Sequence, residues 1–582
     1  MFHKSFYLFF IAAAMFFSCS DDDEPSNPED ALQIEVLFDS PKSESQKGEL
    51  FENSVFIGEE KRDAVLVILK GFLEPDAEIP FRFEVVRVVE AELYRDVDKE
   101  VVPNRFITHA EILNKEGGIL WEEDVDSLFQ VLEFLKIVVS QQSPIKLNAS
   151  QIYRFVDMQY PELLEFGILV PTSLDKDARF RMTVPDEDGN IVEALNVSVA
   201  SLVKAAKPSP LKPTTKLIEE NGKPEDKIDI VIVSDGYQAE REKKFNGDAK
   251  AIKDRFLDTE PFKSHASDFN FHTVFLASEE GGAGYDCTGN VLRDRGCKND
   301  IRDTAFQTTF VVSGLADRLN LNIDASSARA AMPLKVAKLY EAASSVPYDQ
   351  IVLLTNTDRA SGFAGLYFSV LTAYDARLEF PHVAVHELGH SFGLLGDEYS
   401  ATNDACLSGE PRIPLPVNIA SGFNPLKWSA LVDKGAEIPT PDSKSNSVEV
   451  GAFDGAYSCE EHYRPSATCK MRDSTHEFCA VCAQQLVNRI GTTIDPLPSA
   501  GLELTDEGSA LVIDLSSFDN RSFTFLLSGK EIEAKDGKLS IPKSEINTEW
   551  KKFEARATIS SDFVKVPTTQ LSTEKAIWLR GQ

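Results

Sequence analysis

Between Pro381 and Tyr399 the chain has few structural options. Pro381 suits the first turn of a helix, where its missing N–H costs nothing, and Val383 to Leu395 continues with helical spacing. That register puts His386 and His390 one turn apart on one face, with Glu387 beside them. Two neutral imidazoles at this spacing converge on a single cation, and an adjacent carboxylate is placed to take a proton from water. The competing interpretation is a pair of histidines on a helix surface.

The residues that follow favour the metal. At Gly393 the helix can end in a left-handed cap and swing the chain back. Asp397 then brings a hard oxygen donor within reach of the turn, with its neighbour Glu398 as competitor. Catalytic zinc takes three protein ligands and keeps one position open. The expectation is one Zn²⁺ held by His386, His390 and Asp397, with Glu387 as general base. Zinc lowers the pKa of bound water and polarises a carbonyl, so hydrolysis needs no protein nucleophile. Met471, in Cys469-Lys470-Met471-Arg472, reads as an apolar floor beneath the metal or as a core methionine. Tyr399 is a candidate donor to an oxyanion, or a packing residue. His382 reads as a surface or supporting residue, and His462 and His476 are left unassigned.

The segment from His386 to Tyr399, with its HExxHxxGxxxD pattern, resembles the signature of the IgA peptidase family of metallopeptidases, relatives of the metzincins. Asp229 to Tyr237, Glu260 to Ser264 and Asn356 to Arg359 are similar to family segments in the same order, so the likeness spans about residues 215 to 492. It implies a zinc peptidase preceded by a sandwich-like β domain. A typical metzincin puts its third ligand six residues after the second histidine; here that residue is Gly396, which cannot ligate, and the family pattern implies Asp397.

At 582 residues the chain is long enough for several domains. Its 93 acidic against 60 basic residues, a net charge of -33, would repel a phosphate backbone and argue against nucleic acid. His3 and Lys4 precede an apolar run from Phe6 to Phe17 that is too short to span a bilayer and fits a signal peptide over residues 1–18. Ser18-Cys19 at its end resembles a lipobox, with Cys19 as the lipidated residue. The acidic tether at 19–31 resembles the surface-export signal of Bacteroidetes lipoproteins. The expected location is the outer membrane, exposed at the cell surface and anchored by lipid.

Alternating apolar runs over 32–204, interrupted by a helical stretch from Asp124 to Leu135, read as an N-terminal β-rich domain. A Pro-containing linker at 205–213 leads to a catalytic α/β domain at 214–495, where the apolar run Ile228 to Val233 and the amphipathic stretch Ala239 to Phe256 alternate. Short runs over 499–582 suggest a small C-terminal β-sandwich. The fold class is therefore multidomain α+β.

Seven further cysteines, Cys287, Cys297, Cys406, Cys459, Cys469, Cys479 and Cys482, lie in the catalytic region. In an exported protein they are expected mainly as disulfides, with Cys287 and Cys297 plausible partners, rather than as a zinc-ribbon or redox site at Cys479-Ala480-Val481-Cys482. Taken together the expected activity is that of an endopeptidase acting on extracellular proteins. The alternative from another class is a surface lipoprotein that binds host proteins or glycans and uses the peptidase fold as a scaffold. Possession of Glu387 favours the enzyme, because a scaffold has no use for a general base.

Overall fold

The computed structural model describes residues 34–581 apart from short gaps and the longer stretches 94–107, 126–163, 286–299, 311–330 and 400–415. Cys19, the export signal, Cys287, Cys297 and Cys406 lie outside the described residues, as does most of the helix expected after Asp124; Asp124 itself sits in the strand Ile119–Val125.

The architecture is mixed α and β, and its centre is a six-stranded sheet. Its strands are β1 (Thr214–Glu219), β2 (Ile228–Asp235), β3 (Phe269–Phe275), β4 (Gln350–Thr355), β5 (Gly362–Ala364) and β6 (Phe368–Thr372), in the spatial order β1-β3-β2-β4-β6-β5. The inner four run parallel, and β1 and β5 close the two edges antiparallel. Every residue of β2 is buried, as a parallel strand covered on both faces requires.

Side chains alternate across a strand, so the sheet divides two cores. On one face Val231, Val233, Ile351, Leu353 and Val370 pack with helix α2 (Val336–Ala343) and with the N-terminal strands. On the other face Ile230, Ile232, Val352 and Leu354 pack against helices α1 (Glu242–Leu257), α3 (Phe380–Ser391) and α4 (Ala480–Thr493). The helix carrying His386 and His390 is α3, so the chemistry lies on the second face.

Among the described residues the N-terminal part contains two antiparallel sheets, one of three strands around Arg62–Leu73 and one of four around Arg179–Pro185. Its strands share a single core with the central sheet. The two approach closely at Gly167, since a Cβ there would lie 2.8 Å from Tyr340 of α2. The next residue, Glu341, is buried and paired with Arg87 and with Ser209, which donates to it over 2.8 Å.

At the C-terminal end two sheets enclose one core of Leu504, Leu511, Ile513, Phe525, Phe553 and Leu579. The chain start completes them: Ile34–Leu37 pairs with Ser572–Gly581, and Ser54–Phe56 pairs with Glu503–Asp506. The two ends of the described chain are thus neighbours.

Arg521 on this C-terminal unit is tied to the region of the central sheet by a buried ion pair, 2.9 Å from Asp268, which also lies 3.1 Å from His265 Nδ1. Burial would raise the Asp268 pKa, but His265 and Arg521 together hold it below the usual carboxylate value. Removing one partner of such a pair leaves a buried charge uncompensated, at a cost of about 3–5 kcal/mol. Arg521→Ala is therefore expected to lower the urea midpoint of the full chain clearly; an unchanged midpoint would show that the junction does not depend on this pair.

Candidate metal centre

Pro381 stands in the first turn of α3 and the helix runs to Ser391, so His386, Glu387 and His390 occupy consecutive turns of a rigid element. All three side chains are at most one-fifth exposed. Each histidine is oriented through its far nitrogen: His386 Nδ1 is 2.8 Å from the Lys470 carbonyl and His390 Nδ1 is 2.7 Å from the Leu395 carbonyl. A carbonyl can only accept, so both Nδ1 atoms carry a proton and the two Nε2 atoms are the ones left to face a cation. This is the arrangement that metal-binding histidines adopt.

The two Nε2 atoms face each other at 3.2 Å, and Asp397 Oδ1 lies 3.3 Å from one and 3.1 Å from the other. Donors on a tetrahedral ion with bonds of about 2.05 Å stand about 3.3 Å apart, so these three atoms span one face of a zinc-sized tetrahedron. Asp397 Oδ1 is buried and accepts no hydrogen bond, whereas Oδ2 accepts one from the Tyr399 hydroxyl at 2.9 Å. The donor set and the orphaned oxygen both fit zinc.

The turn that delivers Asp397 differs from the expected one. Gly393 is not left-handed; the positive φ falls on Leu394, at 56°. Gly393 is needed for space, because a Cβ would meet the Gly389 carbonyl and Leu486 at 2.6 Å each. Leu394 N–H bonds to the His390 carbonyl at 3.0 Å and Leu395 N–H returns to Gly389 at 3.1 Å, which closes the helix end. At Gly396 a side chain would strike Pro416 and Ile419.

Asn418, which the sequence reading passed over, clamps this turn. Fully buried, it accepts from Gly396 N–H at 2.8 Å and donates to the Gly396 carbonyl at 2.8 Å and to Glu398 Oε1 at 3.0 Å. Nothing local marks an asparagine 28 residues after His390 as part of the site. Glu398 is turned away from the histidines and into the interior, so Asp397 alone of the two carboxylates joins them.

Met471 is fully buried, and its sulfur packs on the side of α3 at Gly389, where a Cβ would come within 2.6 Å. The same segment supplies the Lys470 carbonyl to His386 and the Met471 carbonyl to Glu398 N–H at 2.8 Å. Tyr399 is exposed and its hydroxyl is committed to Asp397. His382 and His476 lie outside the cluster, with His476 beside Asp473 at 3.7 Å.

A family model described as IgA Peptidase M64 matches residues 217–449. This segment belongs to the IgA peptidase family of metallopeptidases. The match takes in the whole sheet from β2 to β6, helix α3 and Asp397, and stops short of Met471. No curated protein matches the chain. Membership of the M64 family suggests a metallopeptidase and a metal ion, usually zinc.

One feature of the M64 centre is measurable without substrate. Burial would lower the His390 pKa, but the Asp397 charge outweighs it and holds the imidazolium up to about 9 when no cation is present. At pH 7.5 the cation-free site therefore keeps a proton that a metal must displace. Zinc uptake by metal-free protein is expected to release protons at pH 7.5 and fewer above pH 9, read by titration calorimetry in buffers of different ionisation enthalpy. Heats that do not depend on the buffer would contradict this assignment.

Proposed function

We propose that the chain is a zinc-dependent endopeptidase that cuts extracellular proteins at the cell surface. The observation carrying this reading is the trio of His386, His390 and Asp397 at zinc spacing with Glu387 buried alongside. Zinc, when bound, supplies Lewis acidity that polarises a peptide carbonyl and makes water a stronger acid.

The residues of the chain supply the rest. Burial raises the Glu387 carboxyl above its ordinary pKa, which makes it a better proton acceptor than an exposed glutamate. It accepts a proton from the attacking water and returns it to the departing amine. Glu387 lies against Gly362 of β5, where any Cβ would overlap its carboxylate. Among the described residues β5 is the last strand of the sheet, which sets Glu387 beside a sheet edge, the kind of element along which an extended substrate backbone can align. Tyr399 acts as a positioning residue, holding Asp397 Oδ2 so that Oδ1 faces the histidines.

Nothing in the geometry points to immunoglobulin A as the substrate, so the proposal is limited to polypeptides presented in extended form. Glu387→Gln is expected to lower casein cleavage by about 10²–10⁴-fold while zinc content matches the wild type. If the wild type holds zinc but cuts none of a broad panel of proteins, the chain is a binding lipoprotein on a peptidase scaffold.

The surface location rests on the Cys19 lipobox and the acidic residues after it. Among the described residues no helix is long and apolar enough to cross a membrane. Anchoring is assigned to lipid on Cys19 from its place at the end of the apolar run. Metabolic labelling with a fatty acid is expected to mark the wild type and not Cys19→Ala; equal labelling of both would remove the anchor from the proposal.

A further inference from the structure

Behind the turn that carries Asp397 lies a second group of donors. Glu398, Cys469, Cys479 and Cys482 are buried, and one ligand atom from each lies within 4.8 Å of all the others. These cysteines were expected in disulfides, yet they are free thiols: Cys469 and Cys482 Sγ are 3.7 Å apart, far beyond a bond of about 2.05 Å. Three thiols cannot pair off among themselves, so any disulfide within the group would strand one sulfur beside a buried carboxylate.

The distances fit a metal instead. On a tetrahedral zinc with Zn–S bonds of about 2.3 Å, sulfurs stand about 3.8 Å apart and sulfur and oxygen about 3.6 Å. Cys482 Sγ and Cys479 Sγ lie 3.2 and 3.9 Å from Glu398 Oε1.

Two further observations point to a cation. Glu398 is fully buried, and its Oε2 has no hydrogen-bond partner even though Asn418 serves Oε1. A buried carboxylate oxygen without a partner is costly unless a cation meets it. Cys479 occupies the N-cap position of α4 and Cys482 lies in its first turn, where the helix dipole favours thiolates.

We propose that Glu398, Cys469, Cys479 and Cys482 form a second, structural zinc site directly behind the catalytic one. Soft thiolates with one carboxylate in a closed, buried tetrahedron select zinc over hard cations. The site would join three segments: the turn after α3, the Met471 segment and the start of α4. It holds the backbone on which Asp397 sits, since Glu398 N–H already donates to Met471 at 2.8 Å.

The test is metal content of the full chain by mass spectrometry, with cobalt as a spectroscopic probe. Wild type is expected to hold two zinc ions per chain. The double variant His386→Ala/His390→Ala is expected to keep one, and after cobalt exchange to show the near-ultraviolet charge-transfer band of thiolate ligation. Cys482→Ser is expected to lose that band. Should Cys482→Ser fail to fold, the histidine variant still decides the matter. One zinc in the wild type and none in the histidine variant would overturn the proposal, as would Cys469, Cys479 or Cys482 recovered in a disulfide-linked peptide. One zinc in both proteins, with the thiolate band, would uphold this site and count against the catalytic one.

Discussion

The centre depends on the chain reversing direction in the seven residues that follow His390, ending at Asp397. Helix α3 can present two imidazoles and a glutamate without help, but a helix cannot bring a third ligand back to its own face. The reversal needs a left-handed residue at Leu394, no side chain at Gly393 or Gly396, and the side chain of Asn418 bonded to both polar atoms of the Gly396 backbone. A non-glycine residue with positive φ is strained, and such strain persists where surrounding contacts over-determine it. Here those contacts are the hydrogen bonds from Leu394 and Leu395 back to α3 and the burial of Leu394 itself.

The turn also sorts two adjacent carboxylates into different roles. Asp397 and Glu398 are consecutive, so once Asp397 Oδ1 meets the histidines, Glu398 is directed to the opposite side of the backbone. The sequence pattern left both open as ligands because proximity along the chain says nothing about which side of a turn a residue takes. Glu398 has the longer side chain, but the direction of the backbone decides.

What could be read from the sequence was local. The helix with His386, Glu387 and His390, the apolar run that became β2 and the amphipathic stretch that became α1 follow from hydrophobic period and from Pro381. What could not be read depends on contacts between distant segments. Asn418, the Lys470 carbonyl and the packing of Met471 on Gly389 are invisible to spacing, because they arise only when the chain after the helix folds back under it. For Cys469, Cys479 and Cys482 the expected disulfides fail for a related reason. An exported chain with paired spacings argues for disulfides, and only the burial of Glu398 between Cys479 and Cys482 shows that a carboxylate shares their space.

These two groups of donors divide the work by chemistry. Two imidazoles and one carboxylate leave a tetrahedron incomplete, as a site that must admit substrate requires, while three sulfurs and a carboxylate complete one and leave nothing to react. The open site lies toward β5 and the exposed Tyr399; the closed one lies among buried side chains at the start of α4. They share the peptide between Asp397 and Glu398, so a displacement of either carboxylate is transmitted to the other through a single rigid unit. Precision at the third ligand is thus set from behind, by groups that never face the substrate.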